Sequence, residues 1–117
     1  MSRDSKLFLL DILESCERIA GYVFGLSADE FFADLKTTDA VVRNLEIIGE
    51  AVKNLPSELL EEHSEIDWKN VARFRDIIAH HYFRVKLTVV WDIVERELEP
   101  LKVAVQDIIS TIPSGRN

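Results

Sequence analysis

The stretch DAVVRNLEIIGEAVKNL, residues 39–55, decides the fold class. Val41, Val42, Leu45, Ile48, Ala51, Val52 and Leu55 return every three or four positions, which is the period of a helix with one buried face. Thr38 or Asp39 is the expected cap, and Pro56 closes the element because its ring nitrogen cannot continue the hydrogen-bond ladder.

The same period extends on both sides. Phe8, Leu9, Ile12, Leu13, Cys16, Ile19, Ala20 and Val23 predict a first helix capped by Asp4 or Ser5. Ser27 followed by Glu30 is a capping-box signature for a short helix through about Asp34, and Ser57 to Glu62 reads as one or two helical turns. Asp67 caps a helix from Trp68 to about Tyr82 that packs through Val71, Ala72, Phe74, Ile77 and Ile78. A last apolar stripe starts near Thr88 and runs from Val89 to Ile109, with Pro100 expected to bend or interrupt it.

Four Gly and three Pro in 117 residues are about half the usual share of roughly 12%, so turns are few and elements long. There is no repeat and no alternating strand pattern. The expectation is an all-α, antiparallel up-and-down helical bundle of four to five main helices. It forms one domain over residues 1–112, followed by a short flexible tail, 113–117.

The lone Cys16 excludes an internal disulfide and is expected in the core. No apolar run approaches the roughly 20 residues of a membrane span, and Met1-Ser2-Arg3-Asp4 lacks the positive start of a signal peptide. The chain therefore reads as a cytoplasmic protein with no membrane partner.

Fourteen basic and 21 acidic residues give a net charge of −7, which argues against non-specific nucleic-acid binding by the molecule as a whole. The distribution is uneven. Residues 68–86 carry Lys69, Arg73, Arg75, Arg84 and Lys86 against Asp76 alone. That segment is either a binding patch or a basic helix paired with acidic neighbours in its own bundle.

Within it, RDIIAHHY (residues 75–82) puts an obligate cation, a proton shuttle and a phenol in eight residues. Guanidinium holds phosphate in a fork, and imidazole moves a proton near neutral pH, so the residue types suit phosphodiester chemistry. At about 100° per residue, Arg75 and Tyr82 are nearly eclipsed while His80 lies about 140° from Arg75. Convergence needs either the helix to end near His80 or a second copy of the segment across a two-fold axis.

Other candidates have simpler readings. Arg43, Glu46 and Glu50 share a helix face, either as an ion-pair stripe or as support beside the active site. Gly49 costs its helix about 1 kcal/mol relative to alanine, which reads either as close approach of another backbone, such as a subunit interface, or as a tolerated glycine. His81 reads as a spectator or an interface residue. His63, His80 and His81 lack zinc-ligand spacing, Trp68 and Trp91 read as packing residues, and no glycine loop offers a phosphate cradle. No metal and no cofactor is expected.

Residues 39–55, Ile66-Asp67-Trp68, residues 75–82 and VWDIV (90–94) together resemble the HepT-like branch of the HEPN superfamily over nearly the whole chain. The resemblance implies a dimeric, metal-independent ribonuclease toxin of a type VII toxin–antitoxin pair, whose partner is a minimal nucleotidyltransferase antitoxin called MntA. It implies Arg75 and His80 as the catalytic pair and Tyr82 as the tyrosine that receives AMP. Arg43, Glu50, Arg73, Arg84 and Lys86 are the expected RNA-binding or supporting residues. Many relatives carry an acidic residue after the tyrosine, where this chain has Arg84-Val85-Lys86. The alternative function is a helical module that docks the nucleotidyltransferase with little or no nuclease activity.

Overall fold

The computed structural model describes the backbone of residues 3–80 and 86–112 and the side chains of residues 4–76 and 86–112. Those residues form seven helices and no strand: α1 (Arg3–Val23), α2 (Ala28–Ala33), α3 (Leu35–Lys53), α4 (Ser57–Glu61), α5 (Trp68–His80), α6 (Leu87–Arg96) and α7 (Leu98–Ser110). Five of them have ten or more residues, as the periodicity predicts. The bundle measures 45 × 29 × 22 Å.

The periodic residues are the ones that fill the core. Leu9, Ile12 and Ile19 of α1, Val41, Leu45 and Ile48 of α3, and Val105 and Ile108 of α7 are wholly removed from solvent. Burying each such side chain contributes about 1.5–3 kcal/mol before chain entropy is set against it. Helix α3 is the centre of the arrangement, packing extensively on both α1 and α5, while α7 lies on α1 and α6. Phe31 of α2 is fully buried and meets Trp91 of α6 at a ring-centroid distance of 5.0 Å. Trp68 is buried and donates its indole N–H to the His63 carbonyl at 2.8 Å, so both tryptophans pack the bundle as expected.

Local chemistry sets the boundaries. Ser27 and Glu30 form the predicted reciprocal capping box, with bonds of 2.9 and 3.1 Å. Asp67 caps α5, accepting from the Asn70 N–H at 3.1 Å. Gly25, at φ 78°, takes the left-handed conformation that turns the chain after α1, and the Leu26 N–H closes that turn on the Val23 carbonyl at 2.9 Å.

Three boundaries differ from the sequence reading. Helix α3 starts at Leu35, not after Thr38 or Asp39, because Asp34 caps it with both oxygens, one on the Thr37 N–H at 3.1 Å and one on the Thr37 hydroxyl at 2.7 Å. The Thr38 hydroxyl instead donates back to the Leu35 carbonyl, which places it inside the helix. Helix α1 already runs from Arg3, so Asp4 sits in its first turn and Ser5 is buried. The final stripe is two helices that break at Glu97. Pro100 lies in the first turn of α7, where its missing N–H has no intrahelical partner to lose.

No helix among the described residues is long and apolar enough to cross a membrane. Cys16 is buried, and desolvation pushes its thiol up to about 12, with Glu17 and Glu99 adding to the rise and Lys102 opposing it. A thiol of that kind is no nucleophile at neutral pH.

Candidate functional site

Arg75 sits where α5 crosses α3, and a glycine determines how closely. A Cβ built on Gly49 would lie 2.6 Å from the Arg75 backbone nitrogen, 2.9 Å from the Arg75 Cβ and 3.2 Å from the Ala72 carbonyl oxygen. Only the absence of a side chain at position 49 permits this approach. The neighbour that explains Gly49 is thus α5 of the same chain and not a subunit interface.

From that seat the Arg75 side chain reaches two carboxylates. Its Nε is 3.5 Å from Glu50 Oε2 and its Nη1 is 3.6 Å from Asp76 Oδ1. Asp76 in turn takes the Lys53 ammonium at 2.6 Å. The four charges alternate in sign across the α3–α5 seam, Glu50, Arg75, Asp76, Lys53. The Arg75 side chain keeps 40% of its surface in solvent and makes no hydrogen bond among the described residues. Exposed pairs at this separation are worth about 0–1 kcal/mol, so an incoming phosphate displaces them at little cost. A guanidinium held in direction but not consumed by its partners suits recognition of an anion.

The Arg43–Glu46–Glu50 face divides. Arg43 and Glu46 make the predicted intrahelical pair at 3.1 Å, whereas Glu50 turns away from it toward Arg75. All three border a cleft of about 280 Å³ that also has Arg75 on its wall and Phe8, Ile47 and Ala51 as its apolar lining, with Asp11 from α1 at its edge.

Other predicted residues are placed separately. Helix α5 runs to His80, whose backbone lies about 7.5 Å beyond that of Arg75 along the helix, and the His80 side chain lies outside the described residues. Asp76 lies one turn before His80. Arg73 is exposed on α5 two residues from Arg75, which puts it on a different side of the helix, and Lys86 is exposed at the N-cap of α6. Tyr82, Arg84 and His81 lie outside the described residues, as does the 113–117 tail.

Two features escaped the sequence reading. Lys53 is the second cation of the seam, and its signal was its position one turn beyond Glu50 and Gly49 on the face that meets α5. Asp11 and Phe8 complete the cleft, and the sign was a lone carboxylate interrupting the apolar start of α1.

Residues 12–108 match the family model described as "Ribonuclease HepT-like". A protein of Methanocaldococcus jannaschii that carries an RNase name is 41% identical over 110 residues, covering 94% of this chain and 91% of the relative. A protein of Thermococcus cleftensis named as a HepT ribonuclease is 42% identical over 102 residues, 87% of this chain and 93% of its own length. A longer M. jannaschii relative, 40% identical over all 117 residues, is matched over 53% of its length and carries a gamma-glutamylcyclotransferase name beside an RNase one. No solved structure gives a significant match. The family match over residues 12–108, with relatives about 40% identical over most of both chains, shows that the chain belongs to the HepT-like ribonuclease family.

Proposed function

We propose that this protein is a toxin of the HEPN/MNT type: an RNA endonuclease that works without a metal, with Arg75 holding the scissile phosphate and His80 moving the proton. The observation that carries the reading is the Arg75 guanidinium, fixed at its root by Gly49 yet 40% exposed and only loosely paired with Glu50. In the reaction His80 removes the proton from a 2′-hydroxyl, whose oxygen attacks the adjacent phosphorus in line. The bond to the 5′-oxygen breaks, that oxygen takes a proton, and a 2′,3′-cyclic phosphate remains. Arg75 neutralises charge that builds on the phosphoryl oxygens.

The angle of about 140° between positions 75 and 80 of a regular helix favours a complete site formed by a two-fold homodimer in which the 75–82 segments of both copies border one cleft. Doubling the basic segment draws RNA despite the overall −7, since screening over about 8 Å at physiological salt hides the distant acidic surface. Arg73, Arg84 and Lys86 hold the flanking backbone. The cognate partner is an MntA-type nucleotidyltransferase in the same cytoplasm, which attaches AMP to Tyr82. The added phosphodiester pairs with the cations that otherwise bind RNA.

RNA incubated with the purified, unmodified protein in EDTA is cut, and Arg75→Ala and His80→Ala each abolish cutting. Activity unchanged in both variants would falsify the assignment. Coexpression with the nucleotidyltransferase adds AMP mass that is lost in Tyr82→Phe, and AMP addition that persists in that variant removes Tyr82 as the site. Absence of RNA cleavage and of growth arrest would favour a docking module instead.

A further inference from the structure

We propose that the cleft beside Arg75 is a subsite for one nucleobase of the RNA, that guanine is the base it takes, and that Asp11 reads it. The inference rests on the ribonuclease reading and gives its substrate a sequence preference.

The cleft's size and chemistry select a base. At about 280 Å³ it falls below the roughly 300–1,000 Å³ of pockets for drug-sized ligands, which suits a single aromatic ring system. Phe8, Ile47 and Ala51 provide an apolar lining that includes one aromatic residue, the residue type on which unpaired RNA bases stack. Its charged members are Arg43, Arg75, Asp11, Glu46 and Glu50, an excess of one negative charge, so the cleft repels a second phosphate while Arg75 at its wall still attracts the first.

The carboxylates then choose among the bases. Glu46 is engaged by Arg43 at 3.1 Å, while Glu50 lies 3.5 Å from Arg75 in a loose pair that a bound phosphate would release. Asp11 has no hydrogen bond or ion pair among the described residues, and its exposed carboxylate keeps both oxygens available. An ionised carboxylate only accepts. Guanine alone presents two adjacent donors, N1–H and the N2 amino group, that satisfy both oxygens in parallel. Adenine and cytosine each set an acceptor nitrogen next to their amino group, and uracil flanks its single N3–H with two carbonyls. Against those edges a carboxylate gains one bond and meets a lone pair, a difference of about tenfold or more in affinity.

Titration of the isotopically labelled protein with 5′-GMP, 5′-AMP, 5′-CMP and 5′-UMP, followed by amide chemical shifts, tests this without any cleavage. The expected result is perturbation at Phe8, Asp11, Ile47 and Arg75 that saturates at least about tenfold earlier with GMP than with the other three. Asp11→Asn, on an exposed helix surface, keeps the fold and abolishes the preference, because an amide with one donor and one acceptor pairs with the donor–acceptor edges of all four bases. No perturbation at these amides with millimolar GMP, equal affinities for all four nucleotides, or a GMP preference that survives Asp11→Asn overturns the subsite. Failure of the EDTA cleavage assay, by contrast, overturns the ribonuclease reading and leaves the nucleotide titration fully readable.

Discussion

Gly49 and Arg75 meet backbone to backbone: the hydrogen that stands in place of a Cβ at position 49 faces the Arg75 nitrogen, where a methyl group would come within 2.6 Å. The residue that carries the proposed chemistry is therefore anchored through its main chain, and its side chain is left to respond to ligand.

Gly49→Ala sets two effects against each other. Alanine gains about 1 kcal/mol of helix propensity, but the added carbon meets backbone atoms that cannot swing aside, at a cost of about 1–3 kcal/mol for separating α3 and α5. Equilibrium urea unfolding is expected to show net destabilisation, together with reduced RNA cleavage as Arg75 shifts outward. A variant more stable than the parent contradicts the close approach.

The Lys53–Asp76 bridge is short, at 2.6 Å, but both side chains are a third or more exposed. A double-mutant cycle with Lys53→Met and Asp76→Asn is expected to give a coupling of about 0.2–1 kcal/mol that shrinks as salt is added. A salt-independent coupling well above that range means the seam is drier than its exposure indicates.

Stability has a different titration on each side of neutrality. The Cys16 thiol, near 12 when folded against 9.0 as its ordinary value, binds its proton more tightly in the native state, so its contribution is whole below pH 9 and falls as pH rises from 9 toward 12. On the acid side, hydrogen bonds from Ser27 hold Glu30 below its usual range, and bonds from Thr37 do the same for Asp34. Their contribution is present above those ordinary values and is lost as pH falls through the lowered ones. Burial raises Glu97 against the Asn70 hydrogen bond, so its protonation partly offsets that loss. Thermal unfolding across pH is expected to show a plateau around neutrality with both flanks falling. Cys16→Ala, compared at pH 7 and pH 10.5, removes the alkaline contribution, and an unchanged alkaline flank contradicts the thiol's part in it.

Replacing Arg75 by lysine keeps the charge and removes the fork. A point charge on a flexible stem cannot hold two phosphoryl oxygens in a fixed plane, so cleavage is expected to drop by about tenfold or more with little change in stability. Undiminished cleavage in Arg75→Lys means the residue acts through charge alone.

How much of this was legible in the sequence depends on the range of each interaction. The apolar period of residues 39–55 marks α3 and its inner face because a helix repeats its environment every turn, and Gly49 stands out as a cost that packing must repay. The start of α3 was ambiguous because Asp34, Thr37, Thr38 and Asp39 are all capping residue types, and only the conformation of the preceding turn selects Asp34. The break at Glu97 carried no signal of its own, while Pro100 marked the helix start beyond it. The pairing of Glu50 with Arg75 joins α3 to α5 across the α4 loop, so no local pattern encodes it. The cleft likewise needs Asp11 of α1 and Glu50 of α3 brought together by the core behind them.

In the proposed function Arg75 and His80 cut RNA through its own 2′-hydroxyl. Its most direct test is mass spectrometry of the products formed from a short RNA and a copy with a single 2′-deoxy position at the cut, both in EDTA. The expected result is a 2′,3′-cyclic phosphate and a free 5′-hydroxyl from the first and no cleavage at the substituted position of the second. A 5′-phosphate product, or cutting at the 2′-deoxy position, contradicts it.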